Sequence, residues 1–120
     1  MTLPLITEAE FQRQLIDLAS MLGWSWGHFR PAKTNRGWRV PVSGPLGAGW
    51  PDLVLVREDR LIFAELKRSR KHPPSPDQRF VLELLKGVAE TYLWTPDDLD
   101  EIARVLSSRP ASVPYRPMPL

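Results

Sequence analysis

Two apolar runs of strand length, residues 49–56 and 61–67, constrain the fold of this chain more than any other feature. Gly49 and Pro51 lie at the start of the first run, and the acidic residues Glu58 and Asp59 lie between the two runs, a pattern that predicts a β-hairpin. Nearly every residue of both runs is apolar, which is typical of strands covered on both faces. We therefore expect the chain to fold around a sheet that contains this hairpin.

Three charged residues, Asp52, Glu65 and Lys67, interrupt the apolar runs. A two-residue turn at positions 58–59 pairs residue 52 with residue 65, and directly opposed residues have Cβ atoms roughly 5 Å apart on the same face. Because side chains alternate along a strand, Lys67 shares that face and Leu66 points away. Buried charge is costly unless it is paired or bound to metal. The three side chains therefore predict a site on an otherwise apolar sheet.

Two neighbouring carboxylates without cysteine or histidine ligands favour a hard cation such as Mg²⁺ or Mn²⁺. Such a cation acidifies a bound water and offsets charge on the leaving oxygen of a phosphodiester. Lys67 beside that water would orient it, help to deprotonate it or stabilise the charged transition state. The simpler alternative is a same-face pair of Glu65 with Lys67, with Asp52 merely following Pro51 into a strand. The Pro-Asp pair and the apolar surroundings favour phosphodiester hydrolysis.

Composition places the chain in a broad class. A chain of 120 residues is long enough for one domain with a single core. The absence of cysteine suits a reducing compartment. No stretch approaches the roughly 20 apolar residues of a membrane span, and the first residues lack the layout of a signal peptide. We expect a cytoplasmic protein that does not enter a membrane.

A net charge of +2 is weak evidence for a nucleic-acid partner, but the basic residues are clustered. The clusters flank the carboxylate hairpin in sequence and comprise Arg30, Lys33, Arg36 and Arg39 before it and Arg68, Arg70 and Lys71 after it. A basic rim around an acidic centre suits a phosphodiester substrate. Taken alone, the clusters are better explained as two solvated basic loops.

The remaining pattern predicts a helix that begins after Thr7, with Glu10 completing its capping box and Glu8 solvated, and that ends at Gly23. A strand over residues 24–29 and a long loop over residues 31–49 follow. After the hairpin we expect a helix from residue 75 or 77, whose apolar positions at helical spacing are Phe80, Val81, Leu84, Leu85 and Val88.

A strand over residues 90–94 and a helix capped by Thr95 complete the pattern. The order of helix, three strands, helix, strand and helix predicts an α/β fold with a central mixed sheet flanked by helices. The proline-rich segment 107–120 has no period and is expected to be extended or disordered.

With these elements in place, Pro51-Asp52 followed by Glu65-Leu66-Lys67 resembles the PD-(D/E)XK nuclease superfamily. The wider layout is similar to its VRR-NUC branch in the features Glu10-Phe11-Gln12, Gly23-Trp24, His28, the Gly-x-Pro-Asp form of residues 49–52, and Gln78. The resemblance spans residues 7–106. It departs from the branch at Val56-Arg57, where glutamate replaces the second arginine of the Val-Arg-Arg tripeptide.

The resemblance implies a restriction-endonuclease-like αβββαβα core in a nuclease domain over residues 1–106, followed by a proline-rich tail over residues 107–120. It implies that Asp52 and Glu65 bind the metal with the carbonyl of Leu66, and that Glu10 completes the acidic site. Lys67 would serve the attacking water, and Gln78 would support the site or the scissile phosphate.

The expected activity is that of a Mg²⁺- or Mn²⁺-dependent DNA endonuclease in a bacterial or phage-infected cell. Stand-alone members of the similar branch act on branched or junction DNA as homodimers, which implies the same substrate class and assembly here. One alternative is a nuclease for linear or sequence-specific DNA, against which stands the absence of an obvious recognition domain in the sequence. The other is a DNA-binding module that retains the fold without catalysis.

Overall fold

A computed structural model describes residues 6–29, 32–35, 37–39 and 42–108; of residues 32–34, 38 and 39 it describes the backbone alone. In these ranges the helices are α1 (Glu8–Met21), α2 (Pro76–Lys86) and α3 (Leu99–Ser107). The strands are β1 (Ser25–His28), β2 (Ala32–Thr34), β3 (Gly37–Arg39), β4 (Leu53–Arg57), β5 (Arg60–Leu66) and β6 (Glu90–Trp94). None of the helices in these ranges combines the length and the apolar character needed to cross a membrane.

The main sheet has four strands in the order β1-β4-β5-β6. The first three are antiparallel neighbours, and β6 runs parallel to β5 after the α2 crossover. This mixed sheet, with three helices in the described ranges, confirms the predicted α/β class.

The central hairpin has the register that the sequence predicts. Leu53 pairs with Ala64 and Arg57 with Arg60, so the turn consists of Glu58 and Asp59. One further step along this antiparallel register sets position 52 opposite position 65. The hairpin therefore brings the two carboxylates of the predicted site to one place.

Side-chain alternation divides the hairpin between two layers. One face packs with α1 and α3 in the core, which includes the fully buried residues Phe11, Leu15, Leu53, Leu55, Ile62, Ala64, Ile102 and Leu106. Glu65 lies on the other face, where Gln78 of α2 contacts it. The sheet thus lies between α2 on one side and the α1–α3 core on the other.

One prediction for the chain around the hairpin was wrong. The predicted loop over residues 31–49 contains the β2–β3 hairpin and a 3₁₀ helix at Gly47–Gly49. Strands of three residues are too short to display a period, so the sequence pattern could not reveal them. Along α2, Val81 is buried, but the apolar residues Phe80 and Leu84 are 56% and 51% exposed, and Val88 just after the helix is 82% exposed. Helical spacing predicts a shared face, but it does not show that this face is covered.

The predicted helix starts agree with the observed caps. The Thr7 hydroxyl accepts the Glu10 N–H at 3.0 Å at the start of α1. Ser75 and Gln78 form a complete capping box at the start of α2. The chain between Thr95 and α3 first forms the 3₁₀ helix Pro96–Asp98, in which Asp98 Oδ2 accepts the Thr95 N–H at 2.8 Å. The predicted tail reaches Ser108 within the described residues, and its positions 109–120 lie outside them.

Two arginines join the hairpin turn to the end of α3 in a group that the sequence did not indicate. Arg57 donates to the carbonyls of Leu22 and Leu106, and Arg60 donates to the carbonyls of Val105 and Ser108. Both guanidinium groups lie over the Trp24 ring, at 4.6 and 5.0 Å from its centroid. We call Arg57, Arg60 and Trp24 the arginine clamp. Because the last carbonyls of a helix lack intrahelical donors, this clamp satisfies the end of α3.

Candidate active site

The two predicted carboxylates meet at one end of the hairpin. Asp52 immediately precedes β4 and is partly buried, whereas Glu65 in β5 is 2% exposed. Asp52 Oδ2 accepts the backbone N–H of Leu66 at 2.8 Å, and the Asp52 carbonyl accepts the Phe29 N–H at 2.9 Å. These bonds extend the strand pairing past the first residue of β4. They fix Asp52 on the sheet beside Glu65.

The two oxygens of Glu65 have different surroundings. Oε1 accepts a hydrogen bond from Gln78 Nε2 at 3.1 Å and lies 3.8 Å from Lys67 Nζ. Oε2 is buried and accepts no hydrogen bond from any described residue. Two ionised carboxylates cannot donate to one another, so Oε2 lacks a partner unless a proton or a cation is supplied.

These surroundings shift the protonation of Glu65. Burial is the largest cause, followed by the charge of Asp52 and by the hydrogen bond to Asp52 that a protonated Glu65 can donate, and together they raise the pKa of Glu65 to about 9. Lys67 acts in the opposite direction, and Glu8 adds to the increase. Burial and the second carboxylate thus favour the protonated form of Glu65 when no cation is bound.

The acidic residue of α1 that faces this pair is Glu8 rather than the predicted Glu10. Glu8 lines the cleft beside Asp52, and partial burial, followed by the charge of Asp52, raises the pKa of its carboxyl. Glu10 is not among the residues that line the cleft, and its backbone N–H joins the helix cap. Glu8 is exposed, as the sequence predicts, although it lines the cleft. Residues two apart on a helix face directions that differ by about 200°, so one of the two can line the cleft.

A cleft of about 410 Å³ opens between the start of α1 and the ends of β1 and β5. It is lined by Glu8, Ala9, Gln12, His28, Phe29, Asp52 and Leu66. The Leu66 side chain is 1% exposed and belongs to the core. Because Asp52 lines this cleft, the cleft reaches one side of the carboxylate pair.

The basic cluster after Lys67 is partly engaged within the protein. Arg68 Nη2 lies 3.2 Å from His72 Nε2, and Arg70 forms a 3.1 Å ion pair with Asp98. Lys71 is exposed. All three residues were predicted to bind DNA. Of these, Arg70 already has a carboxylate partner within the protein.

The other predicted basic cluster is less completely described. Arg30 and Arg36 lie outside the described residues, and of Lys33 and Arg39 only the backbone positions in β2 and β3 are described. Their predicted contact with nucleic acid stays a prediction.

The structure therefore brings together Asp52, Glu65, Lys67 and Gln78. It adds Glu8, which the spacing of apolar residues along α1 did not indicate as the acidic residue at the site. Within the described ranges, no three histidine, cysteine or acidic side chains are gathered into a complete set of metal ligands. The arrangement offers instead a crowded pair of carboxylates with an ammonium and a carboxamide beside it.

A comparison of the chain with protein-family models found no match, and comparisons with curated proteins and with solved structures also found none.

Proposed function

We propose that this protein is a metal-dependent DNA endonuclease that hydrolyses phosphodiester bonds at the Asp52–Glu65 pair. The observation that carries the proposal is the buried Glu65 carboxylate, whose Oε2 has no donor among the described residues. The charge of Asp52 acts on this carboxylate, and Lys67 Nζ lies 3.8 Å from its other oxygen, Oε1. A structural ion pair would not require the second carboxylate. A cation held between hard oxygen ligands would require both.

The residues present fit a divalent cation. Asp52 and Glu65 would hold it, with the carbonyl of Leu66 and, through the cleft, Glu8 in place of Glu10. Glu65 Oε2 would gain a partner, and the repulsion between the carboxylates would be offset. When bound, Mg²⁺ or Mn²⁺ would acidify a water and neutralise charge on the phosphate.

The other side chains support this chemistry from their observed positions. Lys67 is 18% exposed in its side chain and lies against Glu65, so it can orient a water or donate to a phosphate oxygen at the same place. Gln78 holds Glu65 Oε1 and thereby fixes the carboxylate plane. We infer that Gln78 orients Glu65 rather than contacting the phosphate.

The fold supports the same proposal. With the β2–β3 hairpin set aside, the main elements follow the order α1, three antiparallel strands, α2, a parallel strand and α3. This order supports the restriction-endonuclease-like αβββαβα core that the resemblance implies. We propose branched or junction DNA as the substrate and a homodimer as the active assembly, on the resemblance to stand-alone nucleases. Linear or sequence-specific DNA is the alternative substrate, and DNA binding without catalysis is the alternative function.

Cleavage of end-labelled four-way junction, flap and linear duplex DNA tests the proposal. We expect cutting with Mg²⁺ or Mn²⁺, none with EDTA, and a preference for the branched substrates. Lys67→Ala and Glu65→Ala should each lower the rate by about 10²-fold or more, while both variants still bind DNA in a gel-shift assay. Cutting in EDTA, or variants that cut like the wild type, would contradict this site. Binding without cutting under every metal condition would favour the non-catalytic module.

A matched pair of substitutions tests which acid of α1 serves the site. Glu8→Gln should lower cleavage about tenfold or more, whereas Glu10→Gln should change it less than twofold. Both residues lie in the first turn of the same helix, so their effects on helix stability through the macrodipole are similar. Cleavage rates measured across a Mg²⁺ titration separate the two. A larger loss for Glu10→Gln would restore the role that the resemblance implies for Glu10.

A further inference from the structure

Gly49 is in close contact with the first turn of α2. A Cβ atom at this position would lie 2.1 Å from the carbonyl oxygen of Asp77 and 2.7 Å from the backbone nitrogen of Gln78. These are backbone atoms of a helix, so they cannot rotate away as a flexible side chain could. Gly49 is not among the positive-φ glycines, so the position requires the absence of a side chain rather than an unusual backbone conformation.

The turn of α2 that meets Gly49 also fixes the carboxamide of Gln78. Gln78 Oε1 accepts the Ser75 N–H at 2.9 Å, and the Gln78 N–H donates to Ser75 Oγ at 3.1 Å. Because Oε1 is used by this capping box, Nε2 is the atom that faces Glu65, at 3.1 Å from Oε1 of that carboxylate. The helix cap therefore determines which end of the amide reaches the site.

The segment that begins at Gly49 also carries Asp52. Pro51 is buried, and the Trp50 ring packs edge-on against Phe29 and Phe63 at centroid distances of 5.6 and 5.3 Å. Residues 49–52 are thus fixed on the sheet at the same time as they contact α2. The contact at Gly49 consequently sets the position of α2 relative to both carboxylates.

We propose that Gly49 and the Ser75–Gln78 capping box are positioning elements of the site, which hold the Gln78 amide on Glu65 Oε1 and leave Oε2 for the cation. The proposal rests on the proposed function where it concerns the cation; the placement of Gln78 rests on the contacts alone. A methyl group at position 49 must displace the first turn of α2. A displacement of about 1 Å takes the Gln78–Glu65 contact beyond hydrogen-bonding distance.

Gly49→Ala tests the proposal, with Gly87→Ala as the matched control at the other end of α2. A Cβ atom at Gly87 would meet nothing closer than the Leu84 carbonyl oxygen at 3.6 Å, an ordinary contact. In NMR spectra of the metal-free protein, the wild type and Gly87→Ala should show Gln78 side-chain amide protons that exchange slowly with water. In Gly49→Ala these protons should exchange rapidly. Calorimetric titration with Mn²⁺ should give about tenfold weaker binding for Gly49→Ala alone.

A double-mutant cycle distinguishes positioning from a general loss of structure. Gln78→Met removes the amide that contacts Glu65 and should weaken Mn²⁺ binding to a similar extent. If Gly49 acts through Gln78, the double variant should be no weaker than the weaker single variant, whereas independent effects add. Ser75→Ala, which leaves the packing at Gly49 intact, should also speed exchange of the Gln78 amide and keeps the test decisive if Gly49→Ala does not fold.

Unchanged amide exchange in both Gly49→Ala and Ser75→Ala would overturn the proposal, as would additive losses of Mn²⁺ affinity in the cycle. A wild-type protein that binds no Mn²⁺ and cuts no DNA would contradict the proposed function instead. In that case the amide-exchange comparison would still decide whether Gly49 and the capping box position Gln78.

Discussion

Glu65→Gln is expected to abolish cleavage and, at the same time, to stabilise the metal-free protein. The substitution keeps the shape of the side chain and an oxygen for Gln78 and Lys67, but it removes the charge that would hold a cation. We expect the rate to fall by about 10³-fold or more. A buried carboxylate beside a second carboxylate opposes folding, so its removal should increase the free energy of unfolding at pH 8 by a few kcal/mol, as an order of magnitude.

The pH dependence of stability follows from the direction of the pKa shift. The pKa of Glu65 is about 9 in the folded protein, above its ordinary value of 4.5, so between these values the folded state binds more protons than the unfolded state. Stability from this group is therefore fully present below pH 4.5, and it is lost as the pH rises toward 9. The slope is at most about 1.4 kcal/mol per pH unit. Glu65→Gln should remove this slope.

Urea denaturation of the wild type and Glu65→Gln in EDTA, at pH 5, 7 and 8.5, measures the effect. Glu90→Gln is the matched control, because the Arg60 guanidinium lowers the pKa of Glu90 through their hydrogen bonds. The same chemical change there should destabilise the protein. Addition of Mg²⁺ should stabilise the wild type at pH 8.5 and leave Glu65→Gln unchanged. A variant that is less stable than the wild type at pH 8.5 in EDTA would show that Glu65 is ionised and satisfied by the protein alone.

The main features of the site could be predicted from local sequence because they depend on strand pairing. A two-residue turn at Glu58 and Asp59 fixes which residues face each other, so the position of Asp52 opposite Glu65 followed from counting along the strands. The capping box of α2 could be predicted for the same reason, since Ser75 and Gln78 are only three positions apart in the sequence. Neither inference required knowledge of how the helices pack.

What the sequence could not determine depends on the rotation of helices and on contacts between distant segments. The choice between Glu8 and Glu10 depends on the angle at which α1 meets the sheet, and Phe11 and Leu15 indicate that angle too coarsely. The close approach of Gly49 to Asp77 joins positions 28 residues apart and leaves no pattern in either segment. The exposure of Phe80 and Leu84 similarly depends on how much of α2 the sheet covers.

The same strand carries two buried charged groups with opposite consequences. Arg60 at the start of β5 has a carboxylate and two carbonyls as partners, whereas Glu65 near its end has an oxygen without a donor among the described residues. The two are five residues apart, which corresponds to about 17 Å along a strand. We infer that the Arg60 end of the strand stabilises the fold and that the Glu65 end serves the proposed chemistry at a cost in stability.

Arg60→Ala is accordingly expected to destabilise the protein strongly without changing the chemistry of the site. The Arg60 side chain is 9% exposed, and its Nε and Nη2 donate to the two oxygens of Glu90 at 2.7 and 2.5 Å. Its loss leaves Glu90 without this partner, removes donors from the end of α3 and removes one of the two guanidinium groups that lie over the Trp24 ring. We expect the free energy of unfolding to fall by about 3 kcal/mol, measured by urea denaturation at pH 7.

Arg104→Ala is the control for the loss of an arginine ion pair. Its partner Glu101 lies 3.4 Å away on the surface of α3, and the two side chains are 70% and 54% exposed. Removal of such a pair should change the free energy of unfolding by less than about 0.5 kcal/mol. The loss of stability in Arg60→Lys should fall between those of Arg60→Ala and Arg104→Ala, because an ammonium keeps the charge but cannot donate to both Glu90 oxygens and the α3 carbonyls in one plane.

Below its unfolding transition, Arg60→Ala should retain the wild-type cleavage rate per folded molecule. A large loss of rate there would mean that the arginine clamp and the carboxylate pair are coupled through β5, and the division of that strand into a stabilising end and a functional end would be wrong.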